Sequence, residues 1–137
     1  MPIADLTPQS TFTGFQKCLH REWMILQRVL PKIQDKFEEV ENHIVNLLQS
    51  IFRSEISPTI RTWESVPMKE GGMAIPKPKE VSTINYMAST CQCAHLIQAL
   101  LSKTDLDLIY HRQKILTVRA ENQEHKATTT SQMLHKI

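Results

Sequence analysis

Residues 31–52 read PKIQDKFEEVENHIVNLLQSIF. Their apolar side chains fall at Ile33, Phe37, Val40, Ile44, Leu47, Leu48 and Ile51. Steps of three and four residues gather these positions on one side of a 3.6-residue helix. The remaining face carries Lys32, Asp35, Lys36, Glu38, Glu39 and Glu41, and acids concentrated in the first half suit the positive end of a helix dipole. A half-buried strand would alternate every second residue, and this segment does not. It predicts a long amphipathic helix with one face buried, and so an α-helical fold.

Working outward, the preceding segment repeats the pattern at Phe12, Phe15, Leu19, Trp23, Leu26 and Leu30. It predicts a helix over 11–29 with Ser10 or Thr11 as cap, in which Gly14 costs about 1 kcal/mol relative to alanine. Pro31 disfavours helix at Leu30 and is expected to open the next helix at its first position, giving an antiparallel pair around a proline corner. Downstream, Ser57-Pro58 announces a short helix with Ile60, Trp63 and Val66 on its buried side. Pro67, Gly71, Gly72, Pro76 and Pro78 then exclude regular helix and predict an ordered loop over 67–78, its glycines supplying a positive-φ turn that directs Met73, Ala74 and Ile75 to the core.

A further helix is expected from Lys79 to Lys103, with Val81, Ile84, Met87, Ala88, Cys91, Ala94, His95 and Leu101 on a small-residue apolar face packed against the first two stripes. After Thr104, a candidate cap, Leu106, Ile109, Leu116 and Val118 start a last helix that becomes polar over Glu121–Lys136 and either frays or needs a partner. The expected organisation is a short lead over 1–10, a helical domain over 11–103 and a polar C-terminal helix or tail over 104–137. The fold class is all-α, with four to five helices in a bundle.

Composition agrees. A chain of 137 residues has room for one domain, and with only three glycines against seven prolines it has little material for many short strands. Sixteen Lys and Arg against fourteen Asp and Glu leave a net charge of +2 with no single-signed block. A basic face built for phosphates is absent, and Lys17, Arg21 and Arg28 are the scattered candidates for nucleic-acid contact. Three cysteines are an odd number, and Met1-Pro2-Ile3-Ala4-Asp5 opens no charged-then-apolar leader, so a reducing intracellular setting is expected. No apolar run approaches the roughly 18–20 residues needed to span a bilayer, and no membrane association is expected.

Residues with chemical potential have simpler structural readings. Cys91, Cys93 and His95 could begin a zinc site, but on a helix residue 93 points away from 91 and 95, so buried inert cysteines are expected instead. His43, His111, His125 and His135 read as solvated helix positions and His95 as partly buried. Asp105 and Asp107 straddle Leu106 where acids that cap a helix belong. Trp23 and Trp63 lie on the apolar stripes, which favours core packing over base stacking. No nucleophile elbow, zinc-protease or phosphate-loop motif is present, so no catalytic residue, cofactor or metal ligand is expected.

Two blocks carry a family resemblance. Gly14-Phe15-Gln16-Lys17-x-Leu19-x-x-Glu22-Trp23-x-x-Leu26-Gln27-Arg28-Val29 resembles a segment that follows the polymerase core in reverse-transcriptase-domain proteins of retrotransposon-like elements. Trp63-x-x-Val66-Pro67-Met68-Lys69-x-Gly71-Gly72-Met73-Ala74-Ile75-Pro76-x-Pro78 is similar to that family's apolar-proline pair, small-residue turn and apolar-proline-x-proline exit. The likeness continues through Asn85-Tyr86-x-Ala88-Ser89 and His95-Leu96-Ile97-x-Ala99-Leu100, spanning roughly residues 12–103. It implies a helical region that packs beside a polymerase palm and helps hold template or primer, with Trp23, Trp63, Pro67, Gly71, Gly72, Pro76 and Pro78 in structural roles. The family's catalytic aspartate pair has no counterpart here, so the resemblance implies a non-catalytic fragment or stand-alone remnant. Its partners would be RNA, DNA or an adjoining polymerase domain, bound weakly. A small helical protein-interaction module is the alternative.

Overall fold

The computed structural model describes residues 5–137, and Met1–Ala4, on which part of the leader reading rests, lie outside the described residues. The fold is all-helical, with no strand among the described residues. The first helical stretch is divided into α1 (Pro8–Gly14), a π-helical turn (Phe15–Leu19), α2 (His20–Glu22) and α3 (Met24–Val29). Then come α4 (Phe37–Phe52), α5 (Pro58–Ser65), α6 (Pro78–Ser102) and α7 (Leu108–Lys136). Counting the divided stretch once, these make about five helices in a bundle among the described residues.

The expected unbroken helix over 11–29 is corrected at three places. It begins at Pro8, where the proline occupies the first turn and loses no hydrogen bond by lacking an N–H. It widens into a π turn at Phe15, whose carbonyl accepts a backbone N–H at the end of the turn and also the His20 Nδ1 hydrogen bond (3.2 Å). It is interrupted by a turn at Trp23, whose ψ of −6° departs from the regular helical value while the backbone stays in the right-handed region (φ −82°). Leu30 is extended, as the following proline requires. Pro31, however, does not open the next helix. Lys32 takes a left-handed conformation (φ 53°), a 3₁₀ turn spans Gln34–Lys36, and α4 starts only at Phe37. That extra turn lets the chain reverse so that α1 meets the far end of α4, with the Phe12 and Phe52 rings 6.0 Å apart.

The core joins the two predicted stripes to the loop. Phe15, Ile44, Leu48 and Ile75 form its buried centre, and Phe12, Trp23, Val40, Leu47, Ile56 and Met73 pack around it. Each fully buried aliphatic side chain contributes about 1.5–3 kcal/mol. Ile75 belongs to the Pro/Gly segment, so the ordered loop is a core element. It is held by its backbone: Ile75 N donates to the Glu64 carbonyl (3.0 Å), Ala74 N to Val66 (2.9 Å) and Gly72 N to Pro67 (3.1 Å). Side chains from other elements fasten it, with Gln16 Nε2 donating to the Met73 carbonyl (2.6 Å) and Gln27 Nε2 to that of Pro78 (2.9 Å).

The short helix α5 turns opposite to expectation. Ser57 Oγ accepts from Ile60 N (3.3 Å), as a cap before a first-turn proline should. Yet Trp63 is 37 % exposed and Ile60 is exposed, whereas Arg61 and Glu64 are 4 % and 1 % exposed. Val66 alone of the three expected residues is buried. The reason is the loop's demand for donors. Arg61 forks onto Glu41 (2.6 and 3.0 Å) and reaches the carbonyls of Ile75 (2.8 Å) and Pro76 (3.3 Å), groups that would otherwise be desolvated without partners.

Candidate interaction surface

Helices α6 and α7 form an antiparallel hairpin joined by residues 103–107, with Lys103 in the left-handed conformation that closes α6. Thr104 is not the cap of α7. Asp107 is, its Oδ1 accepting from Ile109 N (3.0 Å) and Tyr110 N (3.1 Å). The base of α6 is anchored in the bundle by buried Pro78 and Ser82 and by Asn85 Nδ2, which donates to Gln27 Oε1 (2.8 Å). Beyond that base the hairpin has no core: no residue between Ser82 and Val118 is buried. Of the two forms expected for residues 104–137, a polar helix or a tail, α7 has the helical one as far as Lys136.

The half-buried positions Ala88, Gln92, His95 and Ala99 recur at helical spacing and mark the side of α6 turned to α7. There His95 meets Tyr110 edge-on (88°, centroids 5.6 Å apart) and His95 Nε2 contacts His111 Nδ1. His111 is therefore not the solvated position expected of it. His95 is held below the ordinary imidazole range, first by burial and then by the nearby His111 and Lys114 charges.

The opposite side of α6 is exposed at Met87, Thr90, Cys91, Cys93, Ala94, Ile97, Leu100 and Leu101. Two expectations are corrected: the cysteines are exposed rather than buried, and Met87 and Leu101 do not pack against the first two helices. Leu100 and Leu101 are 78 % and 80 % exposed, and Leu108, Ile109 and Leu116 of α7 are exposed as well. No Asp, Glu, Lys or Arg occurs between Val81 and Ser102, so this long exposed face carries no formal charge. Solvent-facing helix surfaces are normally charged, and a contiguous apolar one marks a binding site. A compact monomer of 15.8 kDa exposes about 7,300 Å², whereas this chain exposes 9747 Å².

The other candidate residues are dispersed. Lys17 lies in the π turn, Arg21 in α2 and Arg28 in α3, all exposed, without ion-pair partners among the described residues and divided by the break at Trp23. Trp23 packs at the core edge and lines an open apolar groove of ≈ 490 Å³ with Leu19, Val40 and Leu47, whereas Trp63 does not enter the core. In the loop Gly71 has the expected positive φ (87°), but Gly72 does not. Gly72 is needed for close approach, because a Cβ there would fall on the Val66 carbonyl. Pro67 and Pro76 flank the turn half-buried and Pro78 begins α6. Cys91, Cys93 and His95 form no ligand set, and among the described residues no group of three potential metal ligands converges. Among the described residues no helix is long and apolar enough to cross a membrane.

Three features escaped sequence reasoning. The Glu41–Arg61–Glu64 cluster and the His95–His111 pair join residues distant in the chain and leave no local pattern. The charge-free run from Val81 to Ser102 was legible, but only exposure turns it from a buried helix into a surface. No protein-family model, curated protein or solved structure matches the chain.

Proposed function

We propose that this chain is a helical protein-interaction module that presents the α6–α7 hairpin to a partner. The single observation that carries the reading is the long uncharged face of α6, left exposed while the chain shows about 2,400 Å² more surface than a compact monomer of its mass. Such side chains contribute little to folding and are available for binding. The test is an Ile97→Glu/Leu101→Glu double variant unfolded in urea at high dilution. Its unfolding midpoint and slope match the parent if the face serves a partner. A loss of about 3 kcal/mol or more, the size of a core deletion, would show that these leucine and isoleucine side chains belong to the core and would remove the reading.

A second reading keeps the resemblance to the region following the palm of retroelement reverse transcriptases, as a non-catalytic fragment that contacts template or primer weakly. Lys17, Arg21 and Arg28, exposed and without ion pairs among the described residues, are what favours it. Binding to primed RNA and to DNA across a salt series tests it: affinity that falls steeply with salt supports it, and absence of binding at low salt removes it.

A further inference from the structure

We infer that the partner of α6 is a second copy of this chain, paired antiparallel about a two-fold axis near Gln92. The inference rests on the interaction-module reading and names its occupant. Exposed Met87, Thr90, Ala94, Ile97 and Leu101 are spaced three, four, three and four residues apart, the 3.5-residue period of a two-helix seam. The positions flanking that seam, Cys91, Gln98, Cys93 and Leu100, carry no charge. Flanking charges are what normally direct a seam toward a different partner and against itself. Here a self-pairing meets no like-charge repulsion, and a two-fold interface requires one patch to be complementary to itself.

Direction follows from three observations. The base of α6 is packed into the bundle through Pro78 and Ser82, so parallel pairing would drive two bundles into the same space, whereas antiparallel pairing sets them at opposite ends. Lys77, Lys79 and Glu80 precede the uncharged run, and Lys103, Asp105 and Asp107 follow it, so its start is net positive and its end net negative. Parallel pairing would align like with like at both ends, and antiparallel pairing brings opposite charges and opposite helix dipoles together. Register is then set by layering: Thr90 meets Ala94 of the second copy at the centre, Met87 meets its Ile97 in the next layer, and Leu101 meets its Thr83 at the ends, so the two large side chains nearest the axis pack on each other. A standard interface removes about 800 Å² from each partner, well within this chain's surplus surface.

The same register places Cys91 beside its own copy across the two-fold axis, and Cys93 likewise on the other flank. That gives the experiment. The full chain is sedimented over a concentration series and then treated with diamide, which takes up the two thiol hydrogens as each disulfide forms, before peptide mapping. The expected result is a concentration-dependent species at twice the 15.8 kDa chain mass, with covalent dimers linked Cys91 to Cys91 or Cys93 to Cys93. Cys91→Ser/Cys93→Ser should lose the covalent dimer while still sedimenting as a dimer, and Ile97→Glu should lose both. A single-chain mass at every concentration overturns the inference, as does a dimer linked through Cys18 alone. If Ile97→Glu/Leu101→Glu is meanwhile as stable as the parent, the interaction-module reading survives with a different partner; if it unfolds, both fall.

Discussion

A Cβ on Gly72 would fall on the Val66 carbonyl, in a turn where Gly71 supplies the left-handed conformation. Gly72→Val should therefore destabilise by about 1–3 kcal/mol or more through overpacking against backbone that cannot yield. Gly14→Ala, at a helical position with nothing within 4 Å of the new methyl, should instead stabilise by about 0.5–1 kcal/mol. Urea denaturation of the two variants reads both signs. Glu64 is the other decisive residue. Its Oε2 is buried without a hydrogen-bond partner, and burial raises its pKa above 4.5, outweighing the lowering by Arg61 and adding to the raising by Glu41. The folded state thus holds this proton where the unfolded chain has released it, so stability falls as pH rises from about 4.5 through the raised value. Glu64→Gln should abolish that fall and leave a variant more stable than the parent at neutral pH, measurable as a flattened unfolding profile between acid and neutral conditions. Both the close approach at Gly72 and the orphaned oxygen at Glu64 depend on groups brought from elsewhere, so a string of residues shows neither. The sequence offered two adjacent glycines for the positive φ, and only the fold assigns it to Gly71.

Among the elements, α4 was the most legible and α5 the least, for a physical reason. Over sixteen residues in α4 the apolar periodicity outweighs any single contact, and Phe37, Ile44, Leu48 and Ile51 are all buried as their spacing requires. Over eight residues in α5 two turns of pattern compete with one strong polar demand, and the Arg61 fork onto Glu41 and two loop carbonyls wins, rotating Trp63 outward. The first helix lies between these cases: Phe12, Phe15 and Trp23 of its stripe reach the core, but Leu19, Leu26 and Leu30 are exposed, and the π turn and the break at Trp23 were hidden because neither Phe15 nor Trp23 is a helix breaker. In α7 local chemistry is enough. Asp107 accepts from two first-turn amides, and Asp107→Ala should cost about 1 kcal/mol, seen as reduced hydrogen-exchange protection confined to the first turns of α7.

For the whole molecule, the hairpin is the feature that divides folding from function. Its side chains between Ser82 and Val118 are nowhere fully buried, and substitutions of Ile97 and Leu101 are expected to change association and leave monomer stability intact. The amino-acid sequence by itself determined the helical class, the reversal near Pro31, the proline-capped start of α5 and the position of the glycine loop, since each rests on periodicity, φ restriction or a missing N–H within a few residues. It also contained the charge-free run of α6. Only the tertiary structure decided which faces are buried. Burial is settled by what packs on a helix from distant parts of the chain, and α6 carries apolar residues on every side, so its own pattern cannot distinguish the face that meets α7 from the face left to solvent.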